Sequence, residues 1–85
     1  MKKQEIGYVS NFMGNISVAI IEMTKGTLKT GDTVHFKGHS TDFSETVASM
    51  QIEHETVDKV KKKDSLGLKV KNKVRKKDKV YKVVD

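Results

Sequence analysis

Cysteine, proline and tryptophan are absent from this 85-residue chain, and aromatic residues make up only 6% of it. Without thiols there are no disulfides, thiolate nucleophiles or cysteine-ligated zinc, a pattern suited to a reducing cytoplasm. The longest apolar run, Val18-Ala19-Ile20-Ile21, is far too short for a signal-peptide core or a membrane span. The expectation is a soluble cytoplasmic protein of a single domain, residues 1–85, with no membrane partner. No Gly-x-x-x-x-Gly-Lys-Ser/Thr loop occurs, so no ring of backbone amides cradles a nucleotide's phosphates. No long stretch repeats apolar residues three and four apart; only Phe43, Val47 and Met50 satisfy that spacing locally.

What the chain has is charge, unevenly spread. Residues 1–58 carry five basic and eight acidic side chains, whereas residues 59–82 carry twelve basic and two acidic ones, within an overall charge of +6. Such polarisation points to an anionic partner, RNA being the first candidate in a cytoplasmic protein. The residues that would contact it are Lys61, Lys62, Lys63, Lys69, Lys71, Lys73, Arg75, Lys76, Lys77 and Lys79. With one arginine and few interleaved aromatics, the set would read phosphate backbone rather than base sequence. The same lysines also suit a solvated surface that discourages edge-to-edge sheet pairing.

Alternation of apolar and polar residues predicts strands. The first covers Glu5 to Phe12, and Gly14-Asn15 turns the chain into a second, in which Ile16, Val18 and Ile20 face inward and Ser17 and Ala19 outward. Gly26 to Val34 is the most specific stretch, with Leu28 anchored between Gly26 and Gly31. Asp32 then caps the turn and launches a third strand, Thr33 to Lys37, whose Val34 and Phe36 share a face. From Phe43 to Glu55 the apolar parity switches between Val47 and Met50, which predicts a β-bulge and bend near Ala48 or Ser49. Thr56 to Asp64 reads as an irregular connection with Val57 and Val60 dipping into the core. Leu66 to Lys71 and Val80 to Val83 complete six strands, with Leu66, Leu68 and Val70 inward. Six short strands separated by turn signals imply an all-β protein, a six-stranded antiparallel Greek-key barrel closed to remove its edges.

Catalytic and metal chemistry find little support in the sequence. The carboxylates Glu5, Glu22, Asp32, Asp42, Glu45, Glu53, Glu55 and Asp58 are scattered, and Ser10, Ser17, Ser40, Ser44 and Ser49 show no base at a telling spacing. His35, His39 and His54 offer no four-ligand pattern, since strand alternation sets Glu53 and Glu55 opposite His54. The phenylalanines and methionines read as core or rim, and Tyr8 and Tyr81 as residues of a barrel mouth. No catalytic residue, metal ligand or cofactor is expected, and the chain is not expected to be an enzyme.

Gly7 and its hairpin, Gly26 to Val34, Val47-Ala48-Ser49-Met50-Gln51, Asp64-Ser65-Leu66-Gly67-Leu68 and Val74 to Val80, in this order and spacing, resemble the second domain of translational GTPases such as elongation factor Tu. The resemblance implies a Greek-key barrel without its nucleotide domain, one that binds tRNA or ribosomal RNA. Lys63-Asp64 and Lys77-Asp78 stand where that family has Gly-Asp, which predicts reshaped turns. The same barrel is also appended to other proteins, collagenase-like peptidases among them, so the alternative is a protein-docking module on a larger enzyme or factor.

Overall fold

The computed structural model describes residues 2–84. The described residues contain no helix and form ten antiparallel strands: β1 Lys2–Met13, β2 Val18–Met23, β3 Thr27–Lys29, β4 Thr33–Lys37, β5 Asp42–Thr46, β6 Met50–Ile52, β7 Glu55–Val57, β8 Lys59–Lys61, β9 Ser65–Lys69 and β10 Lys79–Val84. Eight of them make one sheet in the order β5-β4-β10-β1-β2-β9-β6-β7, and β3 pairs with β8 separately. No ladder joins β5 to β7 among the described residues, so the expected closed six-stranded barrel is replaced by an open, curled sheet with a two-stranded companion. β1 is the spine. Its register slips once against β10, between Glu5 and Gly7, and once against β2, between Val9 and Asn11. Each slip adds local twist, which bends a twelve-residue strand around the core.

The core gathers Ile6, Val9, Ile21, Leu28, Phe36 and Met50 with their neighbours into one cluster, and the Phe36 and Phe43 rings stack with centroids 5.2 Å apart. The second strand contradicts its expected parity. Ala19, Ile21 and Met23 are buried, while Ile16 is 53% exposed and Val18 and Ile20 are half-buried on the outer face. The cause is the loop of four residues, 14–17, ending in Ser17 at φ 55°, which delivers Val18 outward. Because side chains alternate strictly, a one-residue offset reverses the whole strand.

The parity switch near Ala48 is real, but it is not a bulge. Val47 and Met50 are both buried because the chain leaves β5 at one edge of the sheet and re-enters as β6 near the other. Val47 bridges the gap, donating its N–H to Asp32 O at 2.8 Å and accepting from Gly31 N–H at 2.9 Å. The expected irregular connection is two short strands, β7 and β8, with Val60 buried opposite Leu28. Glu53 and His54, at φ 51° and 68°, are the two-residue turn of the β6–β7 hairpin, since Ile52 pairs with Glu55.

One turn is built three times. Asp32, Asp64 and Asp78 each accept, through Oδ2, the backbone N–H three residues earlier, from Lys29, Lys61 and Arg75 at 3.0, 2.9 and 2.8 Å. Each also donates its own N–H back to that residue's carbonyl. The residue before the aspartate is left-handed in every copy: Gly31 at φ 92°, Lys63 at 78° and Lys77 at 74°. The lysine turns therefore keep the glycine geometry instead of being reshaped. Relief of about 1 kcal/mol of left-handed strain, less the entropy glycine adds to the unfolded chain, leaves a net gain. Lys63→Gly and Lys77→Gly are expected to raise stability by about 0.5 kcal/mol each in urea unfolding, and a loss in both would refute the strain argument.

Candidate docking face and the basic residues

All ten basic residues singled out from the sequence are exposed, and the fold distributes them. Lys61 ends β8 opposite Thr27, and Lys62 and Lys63 occupy the turn that follows, donating their backbone N–H groups to Gly26 O and Met23 O. Lys69 lies at the far end of β9 opposite Val18. Lys71 donates its backbone N–H to the Glu45 carboxylate at 2.7 Å, and Lys73 follows in the connection to β10. Arg75, Lys76 and Lys77 form the turn held to Val9 on β1, and the Lys79 Nζ lies 3.5 Å from Glu5. The two lysine turns thus hang from the paired neighbouring strands β1 and β2, and carboxylates stand among the cations.

A second face was hidden by the reversed parity of β2. On the outer side of β2 and β9, Val18 and Ile20 stand opposite Lys69 and Gly67. A side chain at Gly67 would meet Val18 Cγ1 at 3.2 Å and Ile20 Cδ1 at 3.8 Å, so the two aliphatic groups lean over a notch with no side chain of its own. Met13, Ile16 and Ile52 extend this notch into an open groove of about 510 Å³, rimmed by Gln51, Glu53, His54, Lys63, Asp64 and Ser65. Ser65, on the rim, donates to Glu22 Oε2 at 2.5 Å.

A Ser-His-Asp contact exists as well. His35 Nε2 lies 2.6 Å from Asp42 Oδ1 and His35 Nδ1 lies 2.8 Å from Ser44 Oγ. Since a carboxylate only accepts, Nε2–H donates to Asp42 and Nδ1 accepts from the serine in the neutral ring. Pairing of β4 with β5 sets His35 against Ser44, and Asp42 shares the outer face two residues away. Asp42 also accepts from Lys37 Nζ at 3.0 Å. That Lys37 hydrogen bond first, and the His35 bond second, hold the Asp42 carboxyl below the usual carboxylate range. Its contribution is present at neutral pH and fades only as pH falls through that lowered value. Asp42 and Ser44 lie on the edge strand β5, with Asp42 58% exposed, beside His35 on β4, whereas an activated serine needs a water-excluded pocket. The trio fastens the sheet edge. His54 sits in a hairpin turn rather than on a strand, and no three His, Asp or Glu among the described residues are grouped to hold a metal ion.

No protein-family profile matches the chain. An uncharacterized protease of Methanocaldococcus jannaschii is 44% identical over 81 residues, which cover 94% of this chain and 20% of the protease. The chain thus spans a fifth of the length of that relative. The crystal structure of the C-terminal domain of a Geobacillus thermoleovorans protein described as a U32 peptidase superposes with a TM-score of 0.87 at 18% identity, covering 95% of this chain and 93% of that one. Its selenomethionine variant gives 0.84 at 18% identity, over 91% and 96%. These relatives overturn the resemblance to translational GTPases, and with it the elongation-factor and RNA-binding expectations. The glycine and aspartate signals behind that resemblance are demands of tight turns in a small curled sheet, and those turns serve a peptidase domain equally well. The chain has the fold of that peptidase C-terminal domain.

Proposed function

We propose that this chain acts as a non-catalytic docking domain for a larger peptidase of the U32 type, the hydrolytic chemistry residing in the rest of that protein. The observation that carries this reading is the match itself: nearly all of this chain aligns, at 44% identity, with one fifth of a protease. The open, exposed setting of the His35, Asp42 and Ser44 contact supports the same division of labour. The lysines keep the domain soluble and its sheet edges unpaired.

The experiment exchanges the matching segment of the Methanocaldococcus jannaschii protease for this chain and compares amide hydrogen exchange in the chimera with that of the isolated chain. Docking is expected to protect one contiguous surface, and to do so equally at about 0.1 M and about 0.5 M salt, because burial of apolar surface is little screened. Identical exchange in the two contexts would show a freely tethered bead and end the proposal.

A further inference from the structure

We infer that the outer groove of Met13, Ile16, Val18, Ile20 and Ile52 around Gly67 is the surface that seats against the remainder of the peptidase, an inference that rests on the docking reading and names its face. The outer face of an antiparallel sheet is ordinarily polar, yet here β2 presents Val18 and Ile20 outward and β9 answers with a glycine. Ile16, 53% exposed at the hairpin tip, and Met13, 42% exposed beside it, enlarge the patch. A hydrophobic centre with a polar rim is the anatomy of a protein interface.

Charge defines the occupant. The groove floor is uncharged although the segment 59–82 is strongly basic, and its rim mixes Glu53 and Asp64 with Lys63. A polyanion would find no cationic floor here. An uncharged aliphatic protein segment would find a fit. The relative carries further chain in the same polypeptide: the matched segment is 20% of its length, and the other four-fifths are tethered to it. Tethering raises the effective concentration, so a modest groove suffices.

The absence of cysteine provides the test. Ile16→Cys and, separately, Lys76→Cys place one thiol in this chain, at the groove or at a basic turn. Alkylation by iodoacetamide, read at the modified peptide by mass spectrometry, is compared between the isolated chain and the protease chimera. The expected result is alkylation slowed about tenfold or more at Ile16→Cys in the chimera and unchanged at Lys76→Cys. Adding Gly67→Val, which fills the notch, is expected to return the Ile16→Cys rate to that of the isolated chain, with amide spectra of the isolated variants confirming the fold. Amide protection elsewhere with Ile16→Cys unprotected would overturn the groove while docking stands. Retained protection after Gly67→Val would equally overturn the notch as the contact. No protection at any position would remove both the groove and the docking reading.

Discussion

Gly7→Ala is expected to cost about 3 kcal/mol or more, a large fraction of the stability of a domain of this size. Gly7 is buried at the point where β1 changes register, paired with Val80 on one side and Met23 on the other. A methyl group there would overlap the Glu22 carbonyl oxygen and lie 3.1 Å from the Glu22 carbonyl carbon and 3.2 Å from Met23 Cα. Those are backbone atoms of the neighbouring strand, so no side-chain rotation relieves the overlap; β1 and β2 must separate. The chain provides its own controls. Gly31→Ala meets nothing within 4 Å but must hold φ 92°, for a cost of about 1 kcal/mol. Gly14→Ala approaches only the Phe12 ring, at 3.7 Å, and should be near neutral. Urea unfolding of the three variants decides the matter: if Gly7→Ala falls within about 1 kcal/mol of the parent, strand spacing at Glu22 is looser than described.

How much of this was legible in the sequence depended on whether neighbours in the chain or partners across the sheet decide a residue's place. Val34, Phe36, Leu66 and Leu68 were read correctly because strict alternation bounded by turn residues leaves one choice. The turns of the segment 26–34 were equally legible, since Gly26 and Gly31 both take the positive φ that their type announces, but the strand Thr27–Lys29 between them was not. The β2 parity failed on Ala19, small enough to look surface-like and yet fully buried. That one residue hides the groove from the sequence, because alternation through an outward Ala19 places Ile16, Val18 and Ile20 in the core. The β6–β7 hairpin was missed for a different reason. Its two turn residues are Glu53 and His54, not the Asn-Gly that normally marks a pair at positive φ. The His35, Asp42 and Ser44 contact needed the β4–β5 register, which local spacing alone does not supply. Closure of the sheet is likewise a property of pairing, and six strong strand signals counted neither β3 nor β8.

The three aspartate turns should differ sharply in worth, with Asp78→Ala the most damaging of them, at about 2–4 kcal/mol. All three carboxylates accept a backbone N–H in the same way, so a cap alone is worth about 1 kcal/mol in each. Burial separates them. Asp78 is 4% exposed, whereas Asp64 is only half-buried. Truncation at Asp78 therefore strands the Arg75 N–H in a partly buried setting, where an unmet donor carries part of its desolvation penalty, and it leaves a void where the buried carboxylate stood. Asp32 falls between the two, half-buried and 3.5 Å from Lys82 Nζ. Asp78→Asn keeps an acceptor and should recover most of the loss. The other side of the contact offers an independent check. A side chain at Gly38 would overlap the Asp78 carboxylate, with its Cβ 2.6 Å from Asp78 Cγ, so Gly38→Ala should itself be destabilising. In the Asp78→Ala background that overlap disappears, and Gly38→Ala should then cost less than it does alone. The double-mutant cycle in urea would show a coupling of about 1 kcal/mol or more. Additive effects, or an Asp64→Ala as costly as Asp78→Ala, would mean that the repeated turns are held by their backbone geometry and that the buried carboxylate adds nothing beyond its cap.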